Sequence, residues 1–301
     1  MAYIESFGAI FSPKDVRDYR ISLSVNSENF PETFELTMPN VKNQGTVGSC
    51  VAHGLAVVVE YFSRLQGDET KDMSVGYIYG NRTTSNHYGT GMIVRDALAA
   101  LAESGDVVQS LFPYNEEVPD ILNRFNTSHA KLIAKSYPYR ITSYYRVYTE
   151  AEIKAALMQH GPVVIAMEWF KDIKVKQGII TTEAKTNKNN GSHCIVIYGW
   201  NNQGWKIQNS WGTYWGNKGR AILPFNIPIQ EAWGVIDNFS EALRKNTIEN
   251  LELSKNNLLN ALEESKNEIN SLKQQLQNII FEKESIDEEA CLEINELIKK
   301  Y

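Results

Sequence analysis

The chain has 301 residues, 43% of them hydrophobic, which is enough for one large core or two small ones. Of its formal charge of −6, residues 240–301 supply −5 (13 acidic and 8 basic side chains), so the preceding body is almost neutral. That balance excludes the basic surface of a nucleic-acid binder, and three cysteines exclude a disulfide framework. No stretch approaches the roughly 18 apolar residues of a membrane span. The start, Met1-Ala2-Tyr3-Ile4-Glu5-Ser6-Phe7-Gly8, lacks the basic region and apolar run of a secretion signal. The expected location is intracellular, in the cytoplasm or within a particle such as a virion, with no membrane partner.

The first 30 residues mix both charge signs in Ser12-Pro13-Lys14-Asp15-Val16-Arg17-Asp18-Tyr19-Arg20 and close on Phe30-Pro31. They form either an ordinary N-terminal arm or a segment that lies near the functional site and modulates it. Next comes Gln44-Gly45-Thr46-Val47-Gly48-Ser49-Cys50. Behind it Val51, Gly54, Leu55, Val58, Tyr61, Phe62 and Leu65 recur at three- and four-residue spacing. The spacing predicts a helix of about four to five turns with one apolar face, Ser49 as N-cap and Gly67 as stop. Cys50 then sits in the first turn, where unpaired N–H groups and the positive end of the helix dipole favour thiolate. The competing reading is a buried, inert cysteine. His53, one turn on, reads as structural.

In Gly191-Ser192-His193-Cys194-Ile195-Val196-Ile197-Tyr198-Gly199-Trp200, a short apolar run between glycines reads as a buried strand. Successive side chains of a strand alternate, so Cys194 points away from the face of His193. Asn209 follows in Trp205-Lys206-Ile207-Gln208-Asn209-Ser210-Trp211-Gly212. A cysteine, then a histidine, then an asparagine, far apart in sequence, is the order of a thiol protease.

The last proline is Pro228 and the last glycine Gly234, so the rest permits helix. Leu251, Leu258, Leu272, Ile279 and Ile286 repeat every seven residues, interrupted at Ser265. Ile248, Leu262, Ile269, Leu276, Ala290 and Leu297 fill the other seam position, with Lys255 and Lys283 interrupting. Such a stripe packs on something in water. Three outcomes stand open: a self-associating coiled coil or partner helix, a helical hairpin folded onto itself or the body, and a partly ordered tail. The block of Glu282, Glu284, Asp287, Glu288 and Glu289 reads as a solvated face rather than a metal site. Three segments result: an arm over 1–30, a body over 31–239 and a heptad-patterned tail over 240–301.

The body resembles a papain-like (cathepsin-like) cysteine peptidase from about residue 35 to about residue 225. Besides the Cys, His and Asn segments, Met73-Ser74-Val75-Gly76-Tyr77-Ile78-Tyr79 resembles the stretch after the family's cysteine helix. Gly89-Thr90-Gly91 falls where its substrate-binding glycines lie, and Gly161-Pro162-Val163-Val164-Ile165-Ala166-Met167 resembles its Gly-Pro-Val strand. Val47 and Val51 stand where secreted relatives usually carry a cysteine and a tryptophan, which points to a reducing compartment. The resemblance implies an α+β fold of two lobes, one helical and one β-barrel-like, here extended by the C-terminal helical tail.

It also implies roles. Cys50 attacks a peptide carbonyl as thiolate, His193 protonates the leaving amine, and Asn209 orients the ring. Gln44 matches the family's oxyanion donor, acting with the backbone N–H of Cys50. Trp211 resembles the tryptophan that shields the His–Asn contact. Gly91 would lend its backbone to the substrate, while Met92, Ile93, Ala166 and Cys194 suggest a small to medium apolar pocket. No cofactor and no metal are expected; the substrate is polypeptide and endopeptidase is the default. The rival readings are a papain-fold binding or assembly protein that works through its tail, and a Cys–His acyltransferase.

Overall fold

The computed structural model describes residues 6–16, 18–19, 30–67, 71–82, 90–170, 173–181, 189–282 and 288–301, without side chains at 189–190, 238–254, 281–282 and 288–289. Of the positions singled out in the sequence, Met1 to Glu5, Arg17, Arg20, Gly89, Lys283, Glu284, Ile286 and Asp287 lie outside the described residues, as do the side chains of Ile248, Leu251, Glu282, Glu288 and Glu289. The chain forms two units, residues 1–242 and 243–301.

In the first unit, short strands β1 (Ala9–Ile10) and β2 (Phe34–Glu35) precede four helices. These are α1 (Cys50–Leu65), α2 (Val75–Gly80), α3 (Val94–Ser104), entered through strand β3 (Met92–Ile93), and α4 (Val118–Ser136). The rest is a sheet of β4 (Ser143–Val147), β5 (Val163–Phe170), β6 (Lys174–Lys176), β7 (Ile179–Thr181), β8 (Asn189–Asn201), β9 (Gly204–Gln208), β10 (Arg220–Leu223) and β11 (Glu231–Ile236). Helix α5 (Glu150–Gln159) lies between β4 and β5 in sequence and opens on a capping box of Thr149 and Glu152. The strand order is β4-β11-β5-β8-β9-β10-β7-β6, with β2 paired to β8 and every contact antiparallel except β10 with β7.

Alternation along β5 and β8 makes this sheet the wall between two cores. Val164, Ala166, Cys194, Val196 and Tyr198 face the core of α1, α2 and α3. Val163, Ile165, Met167, Ile195 and Ile197 face a second core with Trp169, Trp200, Trp205, Trp211 and Trp215. A strand buried on both faces reads as an unbroken apolar run, which is the pattern after His193.

Helix α1 departs from the expected single apolar face: every residue from Cys50 to Ser63 is buried. It crosses behind β8 at Gly54, where an added Cβ would lie 3.4 Å from Val196 Cγ2 and 3.5 Å from Cys194 Sγ. Ser49 precedes the helix but makes no capping bond with its side chain. Its hydroxyl instead lies 3.2 Å from His53 Nδ1 and 2.9 Å from the Tyr114 hydroxyl. Gly67, at φ 85°, follows the helix end as expected.

The buried carboxylate of α1, Glu60, is 2.9 Å from Lys42 Nζ and 3.5 Å from Arg64 Nη2, and Lys42 also reaches Asp72. Burial pushes Glu60 above the usual carboxylate range, and Lys42 pulls it back. The pair therefore ties the segment that carries Gln44 to the middle of α1. In the second unit, α6 (Asn238–Glu282) runs for 45 residues and α7 (Glu288–Lys300) follows. Among the described residues, no helix is long and apolar enough to cross a membrane.

Removing one partner of a buried ion pair strands the other charge. Lys42→Met is expected to lower unfolding free energy by about 3 kcal/mol in urea titrations. Adding Glu60→Gln should restore at least half of that loss; no recovery would mean that the charge pair is not the source.

Candidate active site

The residues expected to act together arrive from both halves of the body. Cys50 opens α1 and is fully buried. His193 lies on β8, with Nε2 2.7 Å from Asn209 Oδ1. The backbone N–H of Ser210 donates to the same Oδ1 at 2.7 Å, which fixes the amide as acceptor toward the ring. Nε2 therefore carries the hydrogen, and Nδ1, buried and without a hydrogen-bond partner among the described residues, is the basic nitrogen left for chemistry.

Trp211 stacks on the imidazole with ring centres 4.4 Å apart and planes inclined by 27°. Trp169 meets the same ring edge to face at 5.2 Å. Gln44 is locked to the segment after Asn209: its N–H donates to Ser210 O at 2.8 Å, and Ser210 Oγ donates to Gln44 Oε1 at 2.6 Å. This leaves Gln44 Nε2 as the outward donor, bonded to Val47 O at 2.9 Å and Ser6 O at 3.2 Å.

Ser6 belongs to the N-terminal arm, and the arm packs over these residues. The Trp211 indole N–H also donates to Ser6 O, at 3.3 Å. Phe7 packs edge-on against both His193 and Trp211. Gly8 N–H donates to Ser192 O at 3.2 Å and its carbonyl accepts from Met92 N–H at 2.8 Å, while β1 pairs in parallel with β3. Contact is so close that a Cβ on Gly8 would lie 1.9 Å from Gly48 O, and one on Gly91 (φ 107°) 2.6 Å from Gly8 O. Farther on, Ser12 donates through its N–H (2.9 Å) and hydroxyl to Glu231, and Asp18 pairs with Arg95 at 2.7 Å.

Burial sets the electrostatics of the site. Burial pushes the Cys50 thiol up to about 11, against the pull of the N–H groups of Cys194, Val51 and Gly8. Burial likewise lowers His193 to about 4, against its bond to Asn209. The helix start alone predicts thiolate; in the covered site desolvation outweighs the helix and leaves thiol and neutral imidazole.

The expected pocket residues assemble in part as a row. Cys194 is in register with Ala166, and Ala166 with Glu231 on β11, so these side chains share one face of the sheet. Met92 and Ile93 form β3, with Met92 buried. Sequence reading missed Glu231, a carboxylate only 2% exposed that pairs with Arg146 at 3.0 Å and accepts from Trp233 Nε1 at 2.6 Å. Its signal was an acid opening the apolar run Glu231-Ala232-Trp233-Gly234-Val235-Ile236. The row is thus apolar at two positions and acidic at the third. His53 is structural in its contacts: its Nδ1 lies 3.0 Å from Ser49 O, and burial lowers it to about 4.

Known proteins resemble the chain over the same body. The profile of the papain family of cysteine proteases matches residues 30–224. A cysteine protease of Blomia tropicalis is 27% identical over 65% of this chain and 60% of its own length. A cathepsin L-like proteinase of Fasciola hepatica is 23% identical over 70% of this chain and 66% of its own. The chain therefore spans less than two thirds of either relative. Among solved structures, xylellain, a cysteine protease from Xylella fastidiosa, superposes with a TM-score of 0.69 at 22% identity, over 77% of this chain and 96% of that one, a likeness of fold. By its match over most of the body, the chain belongs to the papain family of cysteine proteases.

Proposed function

We propose that the chain is a cysteine endopeptidase that cleaves polypeptides through an acyl-enzyme on Cys50, and that its N-terminal arm holds it latent. The observation that carries the first part is the His193 ring, held at Nε2 by Asn209 with Nδ1 left basic. In the uncovered site Cys50 gives its proton to Nδ1, and the thiolate attacks the peptide carbonyl. The oxygen takes up negative charge between Gln44 Nε2 and the Cys50 backbone N–H. His193 then protonates the leaving amine and, neutral again, draws a proton from the water that splits the thioester. Asn209 keeps the ring in the tautomer these steps need, and Trp211 shields that contact.

The latent state follows from what the arm occupies. Ser6 O takes the Gln44 donor that a reacting carbonyl would need. With Met92 and Cys194 lining the acyl side, the arm runs opposite to a substrate, since Gly8 through Ile10 lie beside Gly91 to Ile93 and Ser6 lies at Gln44. A thiol at about 11 is only roughly 10⁻⁴ thiolate at pH 7, and His193 at about 4 is neutral there. Readmitting water lowers the first and raises the second until the ion pair forms. All three cysteines are free thiols, which supports an intracellular or particle-borne enzyme working in reducing surroundings. The partners in this reading are polypeptide substrates, together with a second copy bound through the tail.

Labelling by an epoxide inhibitor, read by mass spectrometry, tests the nucleophile. The adduct should map to Cys50 and vanish in Cys50→Ala; an adduct elsewhere, or none after the arm is displaced, would sink the assignment. On a peptide substrate, Gln44→Ala should lower kcat by about 10²–10³ with KM little changed. If KM rises instead, Gln44 binds substrate and does not stabilise the oxyanion.

Gly8→Val, whose side chain clashes with Gly48 O, should expel the arm. Labelling at pH 7 should then rise at least about tenfold over the unaltered chain. In the unaltered chain the rate should climb steadily toward pH 11, because thiolate appears only there; in Gly8→Val it should plateau near neutrality. Identical pH profiles would remove the latency reading.

A further inference from the structure

Helix α6 carries its apolar seam in the open. Leu258, Leu262, Ile269, Leu272, Leu276 and Ile279 are between 44% and 73% exposed. They sit at the two seam positions of successive heptads: Leu262, Ile269 and Leu276 at a, Leu258, Leu272 and Ile279 at d. Over this span the helix is continuous and rises about 32 Å. Leu259 and Ile280, at e, widen the stripe at its two ends.

We infer that this seam is an interface with a second copy of the same chain, forming a parallel, in-register, two-stranded coiled coil. Charge complementarity selects the occupant and its direction. In a parallel coil a g residue faces the e residue five places on in its partner, which sets Glu268 against Lys273 of the second copy, twice by symmetry. An antiparallel pairing brings e against e, so that Lys266 meets Lys273 of the second copy and like charges flank the seam. The polar interruptions fix the register. Ser265 at d meets its own counterpart only when the strands are level; a slip of one heptad sets it against Leu258 or Leu272. Lys255 interrupts the a positions before Leu262, and in a two-stranded coil its amine can reach water along the seam edge, which a thicker bundle denies it.

The test uses the full chain at micromolar concentration in sedimentation equilibrium. The expected mass is twice the 34.1 kDa of one chain. A monomer overturns the proposal, whether the seam serves another protein or folds back on its own chain; a trimer or tetramer overturns the two-stranded part. Leu262→Asp with Leu276→Asp should give monomer while leaving the melting of the catalytic unit unchanged; a persisting dimer would place the interface elsewhere. For direction, Glu268→Lys and Lys273→Glu should each weaken the dimer by about tenfold, and the double exchange should restore it. Failure of the double exchange to restore affinity excludes parallel pairing.

Discussion

The joint between Gln44 and Ser210 is the contact on which the site depends. These residues are 166 positions apart, one in the segment leading to α1 and the other just beyond Asn209, yet they share a backbone bond and a side-chain bond. A bridge between Asn43 and Trp211 and the bond from Gly212 N–H to Lys42 O extend the joint on both sides. One half of the body carries Cys50 and Gln44; the other carries His193 and Asn209. A displacement of about 1 Å between such halves can cost orders of magnitude in rate. Because the Ser210 hydroxyl occupies Gln44 Oε1, the amide cannot flip, and its donor must face the groove. Positioning and polarity are thus set by the same pair of bonds.

Burial acts on this frame in two opposite ways. Below the groove it supplies rigidity: α1 is enclosed on all sides, and the aromatic rings of Trp211 and Trp169 hold the imidazole from two directions. Above the groove, the arm adds the last layer, and the proposed reacting pair loses its water. The cost of charge in that enclosure exceeds what nearby N–H groups return, so the neutral forms win. In the proposed reading, the His193–Asn209 bond and the Gln44–Ser210 joint are already in place under the arm, and what the site lacks is solvent. Control by cover needs no distortion of the catalytic geometry, only removal of a strand.

Much of this frame is legible in the amino-acid sequence, because it rests on local periodicity. The α1 pattern, the apolar run after His193 and the polar stop at Asn209-Ser210 each carry their element in their own residues. Other features are fixed by distant partners and leave no local trace. Ser49 reads as a cap, yet Tyr114, 65 residues away, holds its hydroxyl. The seat of Ser6 to Ile10 is invisible, since extended backbone bonded to Ser192 and Met92 needs no particular side-chain pattern. Glu231 is a buried acid whose partners, Arg146 and Ser12, lie on other segments. The helix start that favours thiolate at Cys50 is local, while the burial that opposes it comes from segments distant in sequence and leaves no local trace.

Arm and tail pose one problem with two solutions. Each is a segment too polar or too thin to build a core, so each must satisfy itself on a surface it does not own. The arm does so within its own chain, through Ser6, Gly8 and Ser12, and its local concentration is set by its tether. Dilution cannot release it; competition by a tighter-binding peptide, cleavage or a clash in the groove can. The tail's exposed seam, in the proposed dimer, finds its surface on a second chain, so that pairing would follow mass action and dissolve on dilution. Assembly and cover are therefore governed by different variables, and a change in protein concentration shifts the proposed dimer while leaving the covered fraction of each groove where it was.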